Sequence, residues 1–547
     1  MRGSAAERKN TGRKIFMQYR HFGVMLDVSR NGVMKPEQIR RMIDCLSKMG
    51  YNTLELYCED TFEMKGEPFF GYLRGRYTAE ELKEIDAYAA KKGIELIPCV
   101  QTLAHFTNIV RHPAYGKLID TEDILLIDEP ETYAFIEKIF STLSDTFSSR
   151  NVNIGMDEAG MVGRGRYMDK HGYVDHYELL VRHLNKVAQI AAKYGFKAHM
   201  WSDMFFRLAS GGDYYGDGVI PEKIKKSLPE NVALTYWDYY HTEKSFYDKM
   251  FDRHFEFGCD VWFAGGAWTW SGFAPLLSQT IASMKPAMQS VREKGIGNVL
   301  IAMWGDDGKE CSFFAMLHGL YAIRQYADGN FDETTIAKGF EQSFGVAWDD
   351  FALLDLPNVP YRGFEFPRPL AVAKTLLYTD PFLGWLDKNV SNHPDFDYGE
   401  SEKKLSAAVP RAKEYGYIFD CLAKLCGVLK IKAKLGVRTR AAYLENDFTE
   451  LRKIETEMGE LESRLQEFFD AYSALWYKEN KPQGFEIQDI RLGGLIRRVQ
   501  TCRKRLREYL CGKIASIDEL KEEILEYYGG KQLGHNCYAE LVSMSKI

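Results

Sequence analysis

The chain has 547 residues, more than one ordinary domain needs and enough for a large barrel with a second unit. It is 45% hydrophobic and 27% charged, and its net charge of −6 is not concentrated in long single-sign blocks, which excludes the clustered basic face of a nucleic-acid binder. No apolar run suits a bilayer span or a signal peptide after the polar segment 1–18, so we predict a cytoplasmic protein that binds no membrane, or one whose leader has been removed.

Between Tyr19 and about Gly329, short apolar runs alternate with longer amphipathic stretches. The runs are nearly continuous, as expected of parallel strands that are covered on both faces. They predict eight strands, at residues 21–28, 52–57, 95–100, 152–156, 197–201, 232–237, 261–264 and 299–303. The stretches between and after them predict eight helices, at residues 35–49, 78–92, 131–147, 173–194, 221–226, 242–257, 278–294 and 312–327.

Local signals support these helix boundaries. Thr78 and Glu81 have the spacing of a capping box, and Gly50, Gly93 and Gly195 each stand between a helix and the next strand. Eight β/α units in one uninterrupted series predict an α/β fold, a closed (β/α)8 TIM barrel over residues 19–340. An open sheet would be expected to reverse its strand order at a switch point.

The sequence changes character after the barrel. Prolines concentrated between residues 356 and 369 predict a linker or irregular wrap, to which we assign residues 341–410. Residues 411–547 predict a mainly α-helical C-terminal domain, because apolar residues recur three and four positions apart. Two such seams consist of Leu451, Ile454, Met458, Leu461, Leu465, Phe468, Tyr472 and Leu475, and of Leu492, Leu495, Val499, Cys502, Leu506 and Tyr509. We expect both seams to pack in a core and the domain to offer a homodimer surface.

The active site of a TIM barrel lies at the carboxyl ends of its strands. Carboxylates and aromatic rings dominate these positions here: Asp27, Arg30, Glu59, Asp60, Gln101, His105, Asp157, Glu158, Trp201, Asp203, Trp237, Asp238, Tyr239, Tyr240, Trp268, Trp270, Trp304, Asp306 and Asp307. No strand ends in a Schiff-base lysine, the possible metal ligands are dispersed, and the ten cysteines include no Cys-x-x-Cys pair. We therefore predict no metal and no cofactor. Acids that protonate a glycosidic oxygen, with flat apolar faces for a sugar ring, indicate a glycosidase.

Asp157 and Glu158 are the sharpest signal among these residues. Two adjacent carboxylates leaving a strand point in different directions and can divide the labour of proton transfer and substrate orientation. An acidic pair at the start of a helix would have the same sequence, so the pair alone leaves both interpretations open.

Five short segments resemble glycoside hydrolase family 20, the β-N-acetylhexosaminidases. They are MLDVSR (25–30), TLAH (102–105), PETY (130–133), GMDE (155–158) and MWSD (200–203). The segment NKPQGFEIQDIRLGG (480–494) is similar to compact bacterial members that carry a helical C-terminal region. The resemblance implies an exo-acting, retaining enzyme that removes terminal β-linked N-acetylglucosamine, or N-acetylgalactosamine, from glycans. In its substrate-assisted mechanism Glu158 would be the acid/base, and Asp157 would orient the 2-acetamido group as that group attacks the anomeric carbon.

The resemblance also implies substrate contacts. Arg30 would bind the 3- and 4-hydroxyls, with a structural ion pair as the alternative. Trp201, Trp237 and Trp304 would wall the acetamido pocket and the ring floor, unless they are barrel packing. His105 would support the acid/base region, or serve structure alone.

The sequence departs from the family pattern after strands seven and eight. The family commonly has an acetamido-binding tyrosine after strand seven, where this chain has GGAWTW at residues 265–270. We look for that tyrosine at Tyr239 or Tyr240, assign the distal hydroxyls to Asp306, and take Trp268 as a further substrate contact. Two rival functions remain: a retaining glycosidase with an enzyme nucleophile, and a carbohydrate-binding barrel without catalysis.

Overall fold

The computed structural model describes residues 18–364 and 371–534. The predicted polar segment, apart from its last residue, therefore lies outside the described residues. So do Pro367 and Pro369 of the predicted linker and the end of the predicted helical domain.

Eight parallel strands close into a barrel in chain order, which confirms the predicted (β/α)8 fold. They are β1 (His21–Asp27), β2 (Thr53–Cys58), β3 (Glu95–Val100), β4 (Asn151–Asn153), β5 (Lys197–Trp201), β6 (Val232–Trp237), β7 (Val261–Gly266) and β8 (Asn298–Met303). The first strand closes the barrel by pairing with both β2 and β8, so that Val24 is aligned with Leu54 on one side and Ile301 on the other.

Ten helices accompany the strands in the described barrel region. They are α1 (Pro36–Met49), α2 (Ala79–Lys91), α3 (Pro130–Thr146), α4 (Arg166–His171), α5 (His176–Lys193), α6 (Asp203–Ala209), α7 (Glu222–Lys225), α8 (Lys244–Phe255), α9 (Leu277–Lys294) and α10 (Leu317–Ala327). The capping box at Thr78 and Glu81 is formed, and α1 ends at Gly50 in the left-handed conformation. The sequence does not predict α6, because Met204, Phe205 and Phe206 form an apolar run without helical spacing.

The remaining helices form the C-terminal region. They are α11 (Glu333–Phe344), α12 (Trp348–Ala352), α13 (Val372–Tyr378), α14 (Asp387–Ser391), α15 (Tyr398–Ala408), α16 (Gly416–Lys432), α17 (Leu435–Leu444), α18 (Phe448–Glu479) and α19 (Phe485–Leu510). Much of the region predicted as an irregular wrap, 341–410, is thus helical. Its helices α12 to α15 are one to three turns long, too short to show a clear apolar period.

The two seams of the C-terminal region lie inside it. All eight residues of the first seam, on α18, are buried, as are five of the six on α19, with Tyr509 partly buried. Nine described cysteines are free, seven of them buried. In the part of the chain that the structure describes, every helix is too short or too polar to cross a membrane.

Candidate active site

A pocket opens at the carboxyl ends of the barrel strands. It is lined by Arg30, His105, Asp157, Glu158, Trp201, Trp237, Tyr239, Tyr240, Trp270, Trp304 and Asp306. Its volume is about 140 Å³, below the ~300 Å³ at which pockets for larger ligands begin. The structure therefore gathers ten of the eleven predicted site residues around a space suited to a single sugar ring.

The backbone between β4 and the acidic pair makes a tight turn. The strand ends at Asn153, three residues earlier than predicted, because Gly155 (φ 69°) and Met156 (φ 70°) adopt the left-handed conformation. A side chain on Gly155 would come within 2.1 Å of Oε1 of Gln101. Glu158 also has a positive φ of 54°, so successive residues are turned to different sides. This turn is what sends Asp157 and Glu158 into different surroundings.

Asp157 is buried and held by two partners. Gln101 donates from Nε2 to Oδ1 over 2.9 Å, while Nε2 of His105 lies 3.2 Å from Oδ2. Burial would raise the pKa of Asp157, but the positive charge of the neighbouring His105 and the hydrogen bond from Gln101 outweigh it and lower that pKa. The carboxylate is therefore kept ionised inside the pocket.

His105 is the cation that faces both acids. Its Nε2 is 3.9 Å from Oε2 of Glu158, in addition to its contact with Asp157. Burial alone would lower the pKa of His105, but the negative charge of Asp157, 3.2 Å away, raises it to about 9. The imidazole is thus protonated near neutral pH and forms a buried ion pair with Asp157.

Glu158 stands at the mouth of the pocket with 41% of its side chain exposed. Nη2 of Arg207, on α6, lies 3.2 Å from Oε1 of Glu158. The backbone N–H of Glu158 donates to Oδ2 of Asp203 over 3.1 Å. Burial, with the charge of Asp157, raises the pKa of Asp203 to about 7, although Arg207 opposes the rise. Arg207 is absent from the sequence-based site, and its only signal there is its position four residues after Asp203 on one helix face.

Arg30 and Asp306 form the opposite wall. Arg30 donates from Nη1 to Oδ2 of Asp27 over 3.1 Å, contacts Glu59 at 3.2 Å, and lies 3.8 Å from Oδ1 of Asp306. Asp306 is 22% exposed. Burial, with the charge of Asp307, raises the pKa of Asp306 to about 8, against the lowering effect of Arg30. A carboxyl with this pKa is mostly protonated at neutral pH and can donate a hydrogen bond.

Aromatic rings complete the pocket. Trp237 and Tyr239 stack with centroids 5.4 Å apart, and Trp304 meets Tyr57 edge-on at 4.8 Å. The predicted contact Trp268 does not line the pocket: it is 98% buried behind Trp270, against which it stacks at 4.2 Å. Its indole N–H donates to the backbone oxygen of Tyr239 over 3.0 Å. Trp268 therefore supports the wall, and Trp270, two residues later, faces the ligand space.

Comparison with known proteins gives matches to two family models. The model for the glycosyl hydrolase family 20 catalytic domain matches residues 19–249, and that for the Glycoside Hydrolase 20C C-terminal domain matches residues 349–538. A protein named Beta-hexosaminidase from Akkermansia muciniphila is 26% identical over 169 residues, 25% of this chain and 34% of that protein. Human Hexosaminidase D is 25% identical over 206 residues, 35% of this chain and 39% of that protein. The matched part thus spans little more than a third of these relatives.

Among solved structures, a β-N-acetylhexosaminidase from Bacteroides fragilis aligns with a TM-score of 0.46 and 22% identity, covering 59% of this chain and 71% of that one. A hexosaminidase from Streptomyces plicatus in complex with Thio-NAglucal aligns with a TM-score of 0.44 and 19% identity, covering 60% and 69%.

Proposed function

Because the chain belongs to glycoside hydrolase family 20, we propose that it is an exo-acting, retaining β-N-acetylhexosaminidase that removes terminal β-linked N-acetylglucosamine from glycans. The observation that carries the proposal is the unlike pair of adjacent carboxylates. Asp157 is buried and ionised beside the His105 cation, and Glu158 is half-exposed at the pocket mouth. The small volume of the pocket, about 140 Å³, fits one terminal sugar, which supports exo action.

In the proposed first step the substrate supplies its own nucleophile. The acetamido oxygen attacks the anomeric carbon as the glycosidic bond breaks, and Glu158 gives its proton to the departing oxygen. The Asp157 carboxylate accepts the acetamido N–H and stabilises the positive charge of the oxazolinium ion. Water then attacks the anomeric carbon, Glu158 takes its proton, and the acetamido group is restored. Two displacements at one carbon retain its configuration.

The other pocket residues fit recognition of the sugar. The planar fork of Arg30 suits two neighbouring hydroxyls, and the protonated carboxyl of Asp306 can donate to a third. Trp201, Trp237 and Trp304 offer apolar faces to the ring and to the acetamido methyl group. We assign the acetamido carbonyl to Tyr239 rather than to Tyr240, because Tyr239 lies buried between Trp237 and Trp270 while Tyr240 is 45% exposed.

The test is hydrolysis of the chromogenic β-glycosides of N-acetylglucosamine, N-acetylgalactosamine, glucose and galactose. We expect turnover of acetamido sugars only, and losses of about 10³-fold or more in Asp157→Asn and in Glu158→Gln. Asp260→Asn is the matched control, since this exposed residue pairs with Arg20 outside the pocket. Turnover of plain glucosides would instead favour an enzyme nucleophile, and no turnover at all would favour a carbohydrate-binding barrel.

We also infer a homodimer through the helical C-terminal region. Large apolar side chains are exposed there, including Leu444, Tyr477 and Ile490. Monomeric mass by light scattering at working concentration would overturn this inference.

A further inference from the structure

The sequence motif at residues 480–494 lies where α18 ends and α19 begins. We call residues 479–491 the connecting segment. None of them belongs to the residues that line the described pocket, so the proposed chemistry leaves the motif unexplained. The segment packs instead against the loops that follow β1 and β8, which carry Arg30 and Asp306.

The first contact is with the loop after β1. The backbone N–H of Lys481 donates to the oxygen of Val33 over 2.8 Å, and that of Lys35 donates to the oxygen of Glu479 over 2.9 Å. Asn31 donates from Nδ2 to the oxygen of Gly484, also over 2.9 Å. Asn31 follows Arg30 directly, so the connecting segment holds the backbone from which the Arg30 guanidinium extends.

The second contact is with the loop after β8. Gln488 donates from Nε2 to the backbone oxygen of Gly308 over 3.0 Å. Arg491 donates from Nη1 to the backbone oxygen of Asp307, and to Oε1 of Glu310 over 2.9 Å. Lys374 of α13 donates to the same oxygen of Glu310 over 2.7 Å. These bonds hold Asp307, Gly308 and Glu310 in the loop that follows Asp306.

Two side chains, those of Asn31 and Asp27, join the end of β1 and its loop to the loop after β8. Nδ2 of Asn31 lies 3.3 Å from the oxygen of Gly308, in addition to its bond with Gly484. Oδ2 of Asp27 accepts both from Nη1 of Arg30 and from the backbone N–H of Gly305, over 3.1 and 2.9 Å. The 3.8 Å separation of Arg30 and Asp306 therefore depends on both loops keeping their places.

The polar and charged side chains in this contact are buried. Gln488, Arg491, Glu310 and Lys374 are each at least 94% buried. Buried ion pairs carry a desolvation cost that cancels much of their attraction, so they are weak evidence of added stability and better suited to holding a geometry. A site for sugar hydroxyls needs its groups held within about 0.5 Å, which such contacts can provide.

We propose that Gln488 and Arg491 are positioning residues for hydroxyl recognition: from the helical region, they set the distance between Arg30 and Asp306. The inference rests on the proposed function, in which these two residues bind the hydroxyls of the terminal sugar.

The experiment compares kcat/KM for 4-nitrophenyl N-acetyl-β-glucosaminide and for its 4-deoxy counterpart. The ratio of the first value to the second measures how much the 4-hydroxyl contributes to turnover. It does not depend on the fraction of enzyme that is folded. We expect Gln488→Leu and Arg491→Lys to lower this ratio about tenfold toward one, since misplacement by about 1 Å can cost ~10²-fold. Arg498→Lys is the matched control: it makes the same exchange on the same helix, in an ion pair with Asp380 that touches neither loop.

A lowered ratio in both variants, with Arg498→Lys within twofold of wild type, supports the proposal. Equal losses on both substrates with an unchanged ratio would mean that the contact serves only stability, and would overturn it while the proposed function stands. If Arg491→Lys does not fold, the ratio for Gln488→Leu decides. Absence of wild-type turnover would remove the proposed function and this inference with it.

Discussion

Asp157 and Glu158 are adjacent carboxylates in one turn, but the residues around them give them different burial and different charged contacts. Asp157 faces a buried imidazole and an amide, while Glu158 faces solvent and the Arg207 guanidinium. The unlike surroundings separate an anion that must stay ionised from an acid that must exchange protons. This separation of roles is the residue-scale basis of the proposed substrate-assisted chemistry.

His105→Gln tests the source of the ionised Asp157. Without the cation, the pKa of Asp157 rises, because burial is then opposed mainly by Gln101. We expect the acidic limb of the kcat/KM profile to move to higher pH and kcat/KM at its optimum to fall about 10- to 100-fold. An unchanged acidic limb would show that Asp157 does not depend on His105.

The same variant changes how stability depends on pH. The folded-state pKa of His105 is raised from 6.5 to about 9, so its ion pair contributes fully below pH ~6.5 and is lost as pH rises through about 9. The wild-type free energy of unfolding should therefore fall more steeply over this window than that of His105→Gln. Urea unfolding at pH 6 and pH 9 measures the difference, and parallel losses in both proteins would contradict it.

At the scale of elements, the turn after β4 matters more than the strand itself. Gly155 is left-handed and its missing side chain leaves room for Gln101, which in turn binds Asp157. The turn therefore couples the end of β4 to the end of β3. A residue other than glycine would have to displace Gln101 and rotate the acidic pair.

Gly155→Ala is expected to lower kcat/KM at least tenfold and to destabilise the fold by more than the ~1–2 kcal/mol of left-handed strain alone. Gly93→Ala is the matched control, because Gly93 has a similar φ of 72° with nothing within 4 Å of an added side chain. The control should lose stability and keep its activity. Chromogenic assays and thermal unfolding of both variants check this, and equal activity in the two would refute the role of the turn.

For the whole molecule, the helical region and the barrel share buried polar contacts. Besides the Arg491–Glu310 pair, Glu479 at the end of α18 accepts from Ser312 of the barrel region over 2.6 Å. If the two parts separated, these buried polar groups would lose their partners or become exposed to solvent. We therefore expect barrel and helical region to unfold together.

Cooperative unfolding can be measured on the full chain. Six of the nine tryptophans lie in or beside the barrel strands, so tryptophan fluorescence reports mainly on the barrel: Trp201, Trp237, Trp262, Trp268, Trp270 and Trp304. Helical circular dichroism also reports on the C-terminal helices. The two signals should give the same midpoint in urea. Two separated midpoints would mean that the two parts unfold independently.

Much of this protein could be read from local sequence. The strand runs are apolar because both faces of a parallel barrel are covered. Apolar residues recur along α18 because one face of that helix is buried. Both patterns are local and can be recognised in the sequence. The barrel rule then placed Asp157, Glu158, Arg30 and Asp306 at one mouth. The short helices between residues 341 and 410 escaped prediction, since one to three turns cannot establish a period.

The sequence alone therefore determined the barrel strands, the long helices and the acidic and aromatic residue types that meet in the pocket. Only the tertiary structure decided that Trp270 faces the ligand space while Trp268 lies behind it, that Arg207 reaches Glu158, and that Arg491 reaches the loop after β8. These contacts join residues from different elements or depend on how a loop turns. They follow from how the elements pack, which no local pattern encodes.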